Sequence, residues 1–219
     1  MTDLSSFFRE RYVELFNRGV ALLDAAAGDS PEAEATHADV KGARGASRLR
    51  FEGEGTGEDT GEETIEVWLF LTDGVMSAVD ERPEGVPARL SVAMPRAAAD
   101  LWIQEIEGRE DLGSDEAALR LAKGASKRME DAVGEEALDF HLIIKDTPDF
   151  DEVVVRVALH AVDLPEKPTF TATVRWDDLE EMRGAGKNLQ QLMMGGKLRL
   201  GGDYTRAMQV ALELMDKSR

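Results

Sequence analysis

The sequence predicts an α+β protein in which an antiparallel or mixed β-sheet is covered by helices. We expect the chain to form two related lobes. Apolar residues recur at spacings of three and four near the amino terminus and again in the middle of the chain, which is typical of amphipathic helices. Between and after these helical regions, apolar residues alternate with period two, which is typical of strands. The strand patterns fall into two groups, so we expect an amino-terminal lobe over residues 1–135 and a carboxy-terminal lobe over residues 136–219.

Composition limits the class of protein. The 219 residues are 42% hydrophobic, which is enough for a packed core, and carry a formal net charge of −18. This charge would repel a phosphate backbone, so nucleic acid is not an expected partner. Cysteine is absent, which excludes disulfides and thiolate metal sites. Neither a secretory signal nor a run of about 18 apolar residues is present, so we expect an acidic, cytoplasmic protein without stable membrane insertion.

The amino-terminal lobe begins with two predicted helices. The first has an apolar face from Phe8 to Leu23 and ends by Gly28, and Ser30-Pro31 is typical of the cap and first turn of the second. Four strands follow, with a long mobile hairpin loop over the acidic, glycine-rich residues 52–63. These strands, predicted to form a meander, are Leu49–Phe51, Ile65–Leu71, Val75–Val79 and Leu90–Met94.

Helices and a second predicted meander follow. Pro95 fits the first turn of one helix, and a second helix begins after Ser114 and continues through Val133. The strands of the second group are Phe140–Ile144, Val153–Leu159 and Phe170–Val174. The final segment predicts short helices over Asp177–Met182 and after Asn188, a strand over Lys197–Leu200 that ends at Gly201-Gly202, and a last helix capped by Asp203.

The run from Phe170 to Met208 resembles the carboxy-terminal half of the sterol carrier protein type 2 lipid-binding family. The most specific part is Leu192-Met-Met-Gly-Gly-Lys-Leu-Arg-Leu-Gly-Gly-Asp203, which is similar to that family's apolar-Met-x-Gly-Lys-apolar-basic-apolar-x-Gly-Asp pattern. The resemblance implies a hydrophobic tunnel between sheet and helices, and noncovalent binding or transport of a fatty acyl, phospholipid or sterol-like ligand. A carrier of this kind needs no covalent step, and the sequence has no Gly-x-Ser-x-Gly elbow and no metal-pair spacing, so we expect no enzyme activity, cofactor or metal.

Two interpretations of the amino-terminal lobe stay open at this point. An offset of 79 residues places Leu119-Arg120-Leu121 on Leu198-Arg199-Leu200, as a diverged tandem copy would. However, residues 119–121 favour a helix, and the first half has no Gly-Gly-Lys turn. A single elaborated domain is the alternative.

The candidate lipid-binding residues are long apolar side chains concentrated around the two glycine turns. Methionine is flexible and adapts to ligands of irregular shape. With the resemblance, these residues are expected to line the lipid cavity, with the last helix, Tyr204–Met215, as its lid; the alternative is that they only pack the sheet against its helices. The set is Leu189, Leu192, Met193, Met194, Leu198, Leu200, Met208, Leu212 and Met215.

Two other functions stay open. The first is a module similar to sterol carrier protein type 2 (SCP-2) that has no cavity and serves protein interaction or homodimer formation. The second is a hydrolase or isomerase, which we expect only if His141 or His160 lies beside a carboxylate in a cleft. His37, His141 and His160 lack the spacing of a metal pair, and the acidic loop lacks a calcium-binding frame.

Overall fold

The computed structural model describes residues 3–53, 63–108, 111–134, 136–185 and 189–216. Eight strands in these ranges form one mixed sheet of order β3-β2-β1-β4-β6-β5-β7-β8, so the α+β prediction is confirmed. Residues 54–62 of the predicted mobile loop and the predicted cap Asn188 lie outside the described residues. The strands are β1 (Gly45–Glu52), β2 (Ile65–Thr72), β3 (Val75–Val79), β4 (Ala88–Pro95), β5 (Leu138–Lys145), β6 (Glu152–Leu159), β7 (Phe170–Arg175) and β8 (Arg199–Gly202).

Several helices begin where short polar side chains accept backbone hydrogen bonds. Asp3, Ser30 and Ser114 each accept an N–H from the residue three positions later, which satisfies a donor of the first turn. The helices are α1 (Leu4–Ser6), which continues through a π-helix (Phe7–Tyr12) into α2 (Val13–Ala26), then α3 (Pro31–Gly42), α4 (Arg96–Glu107), α5 (Asp115–Gly124), α6 (Lys127–Val133), α7 (Trp176–Ala185), α8 (Leu189–Met194) and α9 (Thr205–Asp216).

The first four strands are not a meander, and that prediction is wrong. β1 and β2 form the expected antiparallel hairpin, and β3 pairs with β2, but β4 lies parallel to β1 on the other side of the hairpin. Residues 80–87 make this possible because they are long enough to return the chain along the sheet before β4 begins.

The second half repeats this pairing order. β5 and β6 form an antiparallel hairpin, and β7 then lies parallel to β5. β8 pairs with β7, whereas in the first half the equivalent edge of β4 is taken by β6, which joins the halves into one sheet. The tandem copy and the boundary after residue 135 stay predictions.

The helices pack on one face of the sheet. α2, α3 and α5 cover β1 to β3 around Phe16 and Val67, and α6 and α9 cover the far half around Phe170 and Val210. α4 and α7 meet over the middle of the sheet, where the rings of Trp102 and Trp176 stack. The opposite face carries a smaller apolar cluster around Trp68, under the guanidinium of Arg48.

Two further boundaries differ from the predictions. The helix expected from Ser114 through Val133 is two helices, because the chain leaves helical geometry at Ala125. Gly201 and Gly202 do not end the last strand but pair with β7. No side chain fits at Gly202, where an added Cβ would lie 2.7 Å from the carbonyl oxygen of Thr169.

The 79-residue offset does not align equivalent structure. Residues 119–121 are helical, whereas Arg199 and Leu200 belong to a strand.

Candidate functional site: an apolar cavity over the central strands

A cavity of about 690 Å³ lies between the helices and strands β1 and β4. Its size falls within the range of about 300–1,000 Å³ that is usual for ligand pockets. Its wall is mostly apolar, with aromatic side chains from the π-helix and α4. The residues that line it are Phe7, Phe8, Tyr12, Leu15, Ser47, Leu49, Phe51, Leu69, Met76, Arg89, Leu90, Val92, Met94, Ala99, Trp102, Ile103, Ile106, Leu112, Ala117, Arg120, Leu121, Gly124, Ala125, Glu130, Val133, Leu159 and His160.

The exposure of β4 shows that the helices stand away from the sheet here. Leu90, Val92 and Met94 face the helices, yet all three are only partly buried. Their neighbours Ser91 and Ala93 point to the other face and are fully buried. In a packed two-layer core the helix-facing residues of a central strand are the most buried, so the reversed pattern indicates unfilled space beneath the helices.

The close packing of α2 on α5 holds one wall of the cavity in place. At Gly19 of α2, an added Cβ would lie 2.1 Å from the carbonyl oxygen of Ala118 in α5, so the helices touch through their backbones. This contact fixes α5, which supplies Ala117, Leu121 and Gly124 to the wall. Only glycine allows this approach, because any side chain would separate the helices.

The two ends of the cavity differ in chemistry. Phe7, Phe51 and Ile103 pack in an apolar cluster at the end where β4 finishes. At the end where β4 begins, the Nε atom of Arg89 forms an ion pair with Oε1 of Glu130 on α6. The two ends are separated by the length of β4, about 17 Å from Arg89 to Met94 at 3.3–3.4 Å per residue.

Burial changes the pKa values of two acidic groups near Arg89. Burial raises the pKa of the Glu130 carboxyl, and the charge of Arg89 opposes this shift. Burial also raises the pKa of the Tyr12 phenol, again against the charge of Arg89. The side chains of Arg89 and Glu130 are 12% and 20% exposed, so water has limited access to this ion pair.

Of the nine residues predicted from the sequence, the six whose side chains the structure describes do not line this cavity. Leu192 is buried, Met194 is 82% exposed, and Met193 and Met208 are partly buried. Leu198 and Leu200 pack in the apolar cluster around Phe170. Leu189 lies in α8, and Leu212 and Met215 lie in α9, where only the backbone is described. A lipid-binding role for this set, and a lid role for α9, stay predictions.

The glycine-rich motif has a structural explanation. The N–H groups of Gly195, Gly196 and Lys197 donate to carbonyls of α8, with Gly196 at a φ of 68°, as at a helix end that needs glycine. The Lys197 ammonium then bridges Asp178 at 2.7 Å and Glu181 at 2.5 Å, and these hydrogen bonds raise the pKa of Lys197. The motif therefore ties α8 to α7.

The histidines are separated in the structure. His141 contacts the carbonyl oxygen of Pro165, and His37 contacts Asp24 on the surface. His160 lines the cavity beside Glu130, and its Nδ1 lies 2.5 Å from the carbonyl oxygen of Gly134. The sequence did not single out Arg89 or Glu130, which have no recognisable motif around them.

The fold and cavity define a class: an α+β protein with one helix-covered sheet face and an apolar pocket under the helices. Residues 106–214 match the model of the SCP-2 sterol transfer family, a segment just under half of the chain. That segment is therefore SCP-2-like, in agreement with the resemblance of residues 170–208 to the family. Most of the residues that line the cavity precede residue 106 and lie outside the matched segment.

One solved structure with similarity to the chain is sterol carrier protein 2 from Yarrowia lipolytica in its apo form. It is 18% identical, and the match covers 40% of this chain and 69% of that chain with a TM-score of 0.26. No curated protein matches the chain. Among the described helices, none has the length and apolar character needed to cross a membrane.

Proposed function

We propose that this protein binds a long-chain lipid noncovalently in the cavity over β1 and β4 and carries it between donor and acceptor. The observation that carries the proposal is the reversed exposure of β4, where Leu90, Val92 and Met94 line unfilled apolar space. The family match supports the proposal, because the family is described as one of sterol transfer.

Burial of a hydrocarbon chain supplies enough free energy for such binding. A chain of about twelve methylenes gains roughly 10 kcal/mol at about 0.8 kcal/mol for each buried methylene. Association and the ordering of the chain cost about 4 kcal/mol or more, which leaves about 6 kcal/mol, an affinity of tens of micromolar. Such an affinity suits a carrier, because the ligand must also be released.

The cavity favours a carrier over the two alternatives. An interaction module without a cavity would have helix-facing side chains in close contact across β4, contrary to the partial exposure of Val92. For a hydrolase, His160 and Glu130 do share the cavity wall. However, Glu130 pairs with Arg89, and the ring of His160 contacts the Gly134 carbonyl.

Dimer formation stays a separate prediction, and cytoplasmic localisation stays part of the proposal.

The test is direct binding of a fluorescent fatty acid to the delipidated full-length protein. We expect saturable binding at micromolar concentration, and native mass spectrometry of the purified protein should show one bound lipid mass. Absence of both results would overturn the proposal.

Two substitutions locate the ligand. Val92→Phe places a larger side chain in the cavity over β4, whereas Ala172→Phe places one on β7 beside Leu198 and Leu200, two of the nine residues predicted from the sequence. We expect only Val92→Phe to abolish binding. Loss of binding in Ala172→Phe alone would instead favour the carboxy-terminal residues.

A further inference from the structure

We propose that Arg89 anchors an anionic terminal group, a carboxylate or phosphate, of the lipid at the polar end of the cavity. The inference rests on the proposed function and adds to it the chemical class of the lipid and the orientation of the lipid in the cavity. The apolar tail would lie along β4 towards Met94, and the anion would lie beside the Arg89 guanidinium, between α6 and β6.

A β-bulge directs Arg89 into the cavity. β4 pairs with β1 in register, with Ala46 opposite Ala88, but Ser47 lies opposite Leu90, so Arg89 has no partner in β1. An extra residue in a strand changes the direction of the side chains around it, and bulges are common next to functional sites. Here the bulge places a charged side chain on the same wall as Leu90.

Gly45 makes room for the stem of this arginine. An added Cβ at Gly45 would lie 2.3 Å from Cγ and 2.8 Å from Cδ of Arg89, and the φ of Gly45 is 152°. Glycine is therefore required both by the backbone conformation and by the closeness of Arg89. The local structure is built around the position of the arginine side chain, which is only 12% exposed.

A residue with a strained backbone, His160, lies beside Arg89 directly after the end of β6. His160 has a φ of 59°, in the left-handed region that is unfavourable for residues with a side chain. Its N–H donates to the carbonyl oxygen of Arg89 at 3.0 Å. Backbone strain of this kind persists where the surrounding structure holds a residue in place, and it is concentrated at functional sites.

The donors of Arg89 are suited to an anion. Glu130 pairs with Nε, and among the described residues no hydrogen bond engages the two Nη atoms of Arg89. A guanidinium can hold a carboxylate or phosphate through two parallel hydrogen bonds. Arg120 also lines the cavity, but its side chain is 74% exposed and pairs with Glu116 at 2.9 Å, so Arg89 is the candidate anchor.

The experiment compares three probes with one chain length: a fluorescent fatty acid, the matching alcohol and the matching alkyl phosphate. We expect the wild-type protein to bind at least one of the two anions about tenfold or more tightly than the alcohol, since hydrogen bonds to charged groups contribute about 1.5–3 kcal/mol. The stronger of the two anions identifies the terminal group. Equal binding of all three probes would overturn the anchor but leave the proposed function intact, whereas absence of all binding would overturn both.

The variants separate the anchor from general effects on the fold. Arg89→Gln combined with Glu130→Gln removes both charges without leaving either buried alone, and we expect it to bind acid and alcohol equally. Glu130→Gln alone should strengthen binding of the anion, because it removes a competitor for Arg89. Arg48→Gln is the matched control: it removes a similarly buried charge from the opposite face of the sheet and should keep the preference for the anion. A preference that survives in the double variant would contradict the proposal.

Discussion

Filling the cavity with a larger side chain should make the protein more stable and at the same time abolish lipid binding. Val92 is the best position, because it lies in the middle of a central strand, faces the helices and is only partly buried. Val92→Phe adds about four carbon atoms, which can gain at most about 3 kcal/mol if all are removed from water. After rotamer restriction and imperfect fit, we expect a gain of about 0.5–2 kcal/mol, which is usual for cavity-filling substitutions.

The sign of this change distinguishes an empty cavity from a packed core. In a packed core the same substitution would cost about 1–3 kcal/mol, because side chains would be forced from their rotamers. For a chain of this length, about 1 kcal/mol changes the melting temperature by about 2–4 °C. We therefore expect differential scanning calorimetry to show a rise of a few degrees for Val92→Phe.

Ala93→Leu provides the matched control for this experiment. Ala93 is the next residue along β4, points to the other face and is fully buried. We expect Ala93→Leu to lower the melting temperature. A fall for both variants, with lipid binding unaffected by Val92→Phe, would refute the existence of the cavity.

Three other predictions follow from separate features. Gly19→Ala should lower stability by about 1–3 kcal/mol and weaken lipid binding, because the new methyl group separates α2 from α5; denaturant unfolding and the fatty-acid assay would both show it, and a neutral result would contradict the close contact. Trp102 lines the cavity, so bound lipid should shift its emission to shorter wavelength, and Trp102→Phe should remove that shift. Hydrogen bonds from His37 and Lys41 hold the pKa of Asp24 below its usual 3.8. These hydrogen bonds therefore stabilise the folded protein above pH 3.8, and this stabilisation is lost as the pH falls through the pKa that Asp24 has in the folded state. Melting curves of Asp24→Asn should therefore lie below those of the wild type at neutral pH and converge with them in acid, and parallel curves would contradict this.

Local sequence patterns predicted the elements well because helices and strands depend on near neighbours. The alternation from Ile65 to Leu71 and the caps at Ser30 and Ser114 gave elements that the structure confirms. The motif ending at Asp203 led to the SCP-2-like family, which the match over residues 106–214 bears out.

The order of the strands could not be predicted in the same way. Whether β4 pairs beside β3 or beside β1 depends on the path of residues 80–87 and on which edge of the hairpin is free. The apolar alternation of Leu90, Val92 and Met94 is the same in either case. The sequence therefore identified the strand but not its neighbours.

The position of the cavity was missed for a related reason. Methionine and leucine side chains are equally common in cores and in ligand sites, so the residues around Leu192 and Met193 did not distinguish the two. Empty space arises from how far α4 and α5 stand from β1 and β4, which depends on distant contacts such as that at Gly19. The bulge at Arg89 likewise exists only in the pairing of two strands.

A crystal structure of the full-length protein with a bound fatty acid would test the central claim most directly. We expect density for the hydrocarbon tail between α4 and β4, next to Val92 and Met94, with the carboxylate within hydrogen-bond distance of Arg89. A ligand found beneath α9 beside Leu192, or helices closed onto β4 with no space between them, would contradict this account.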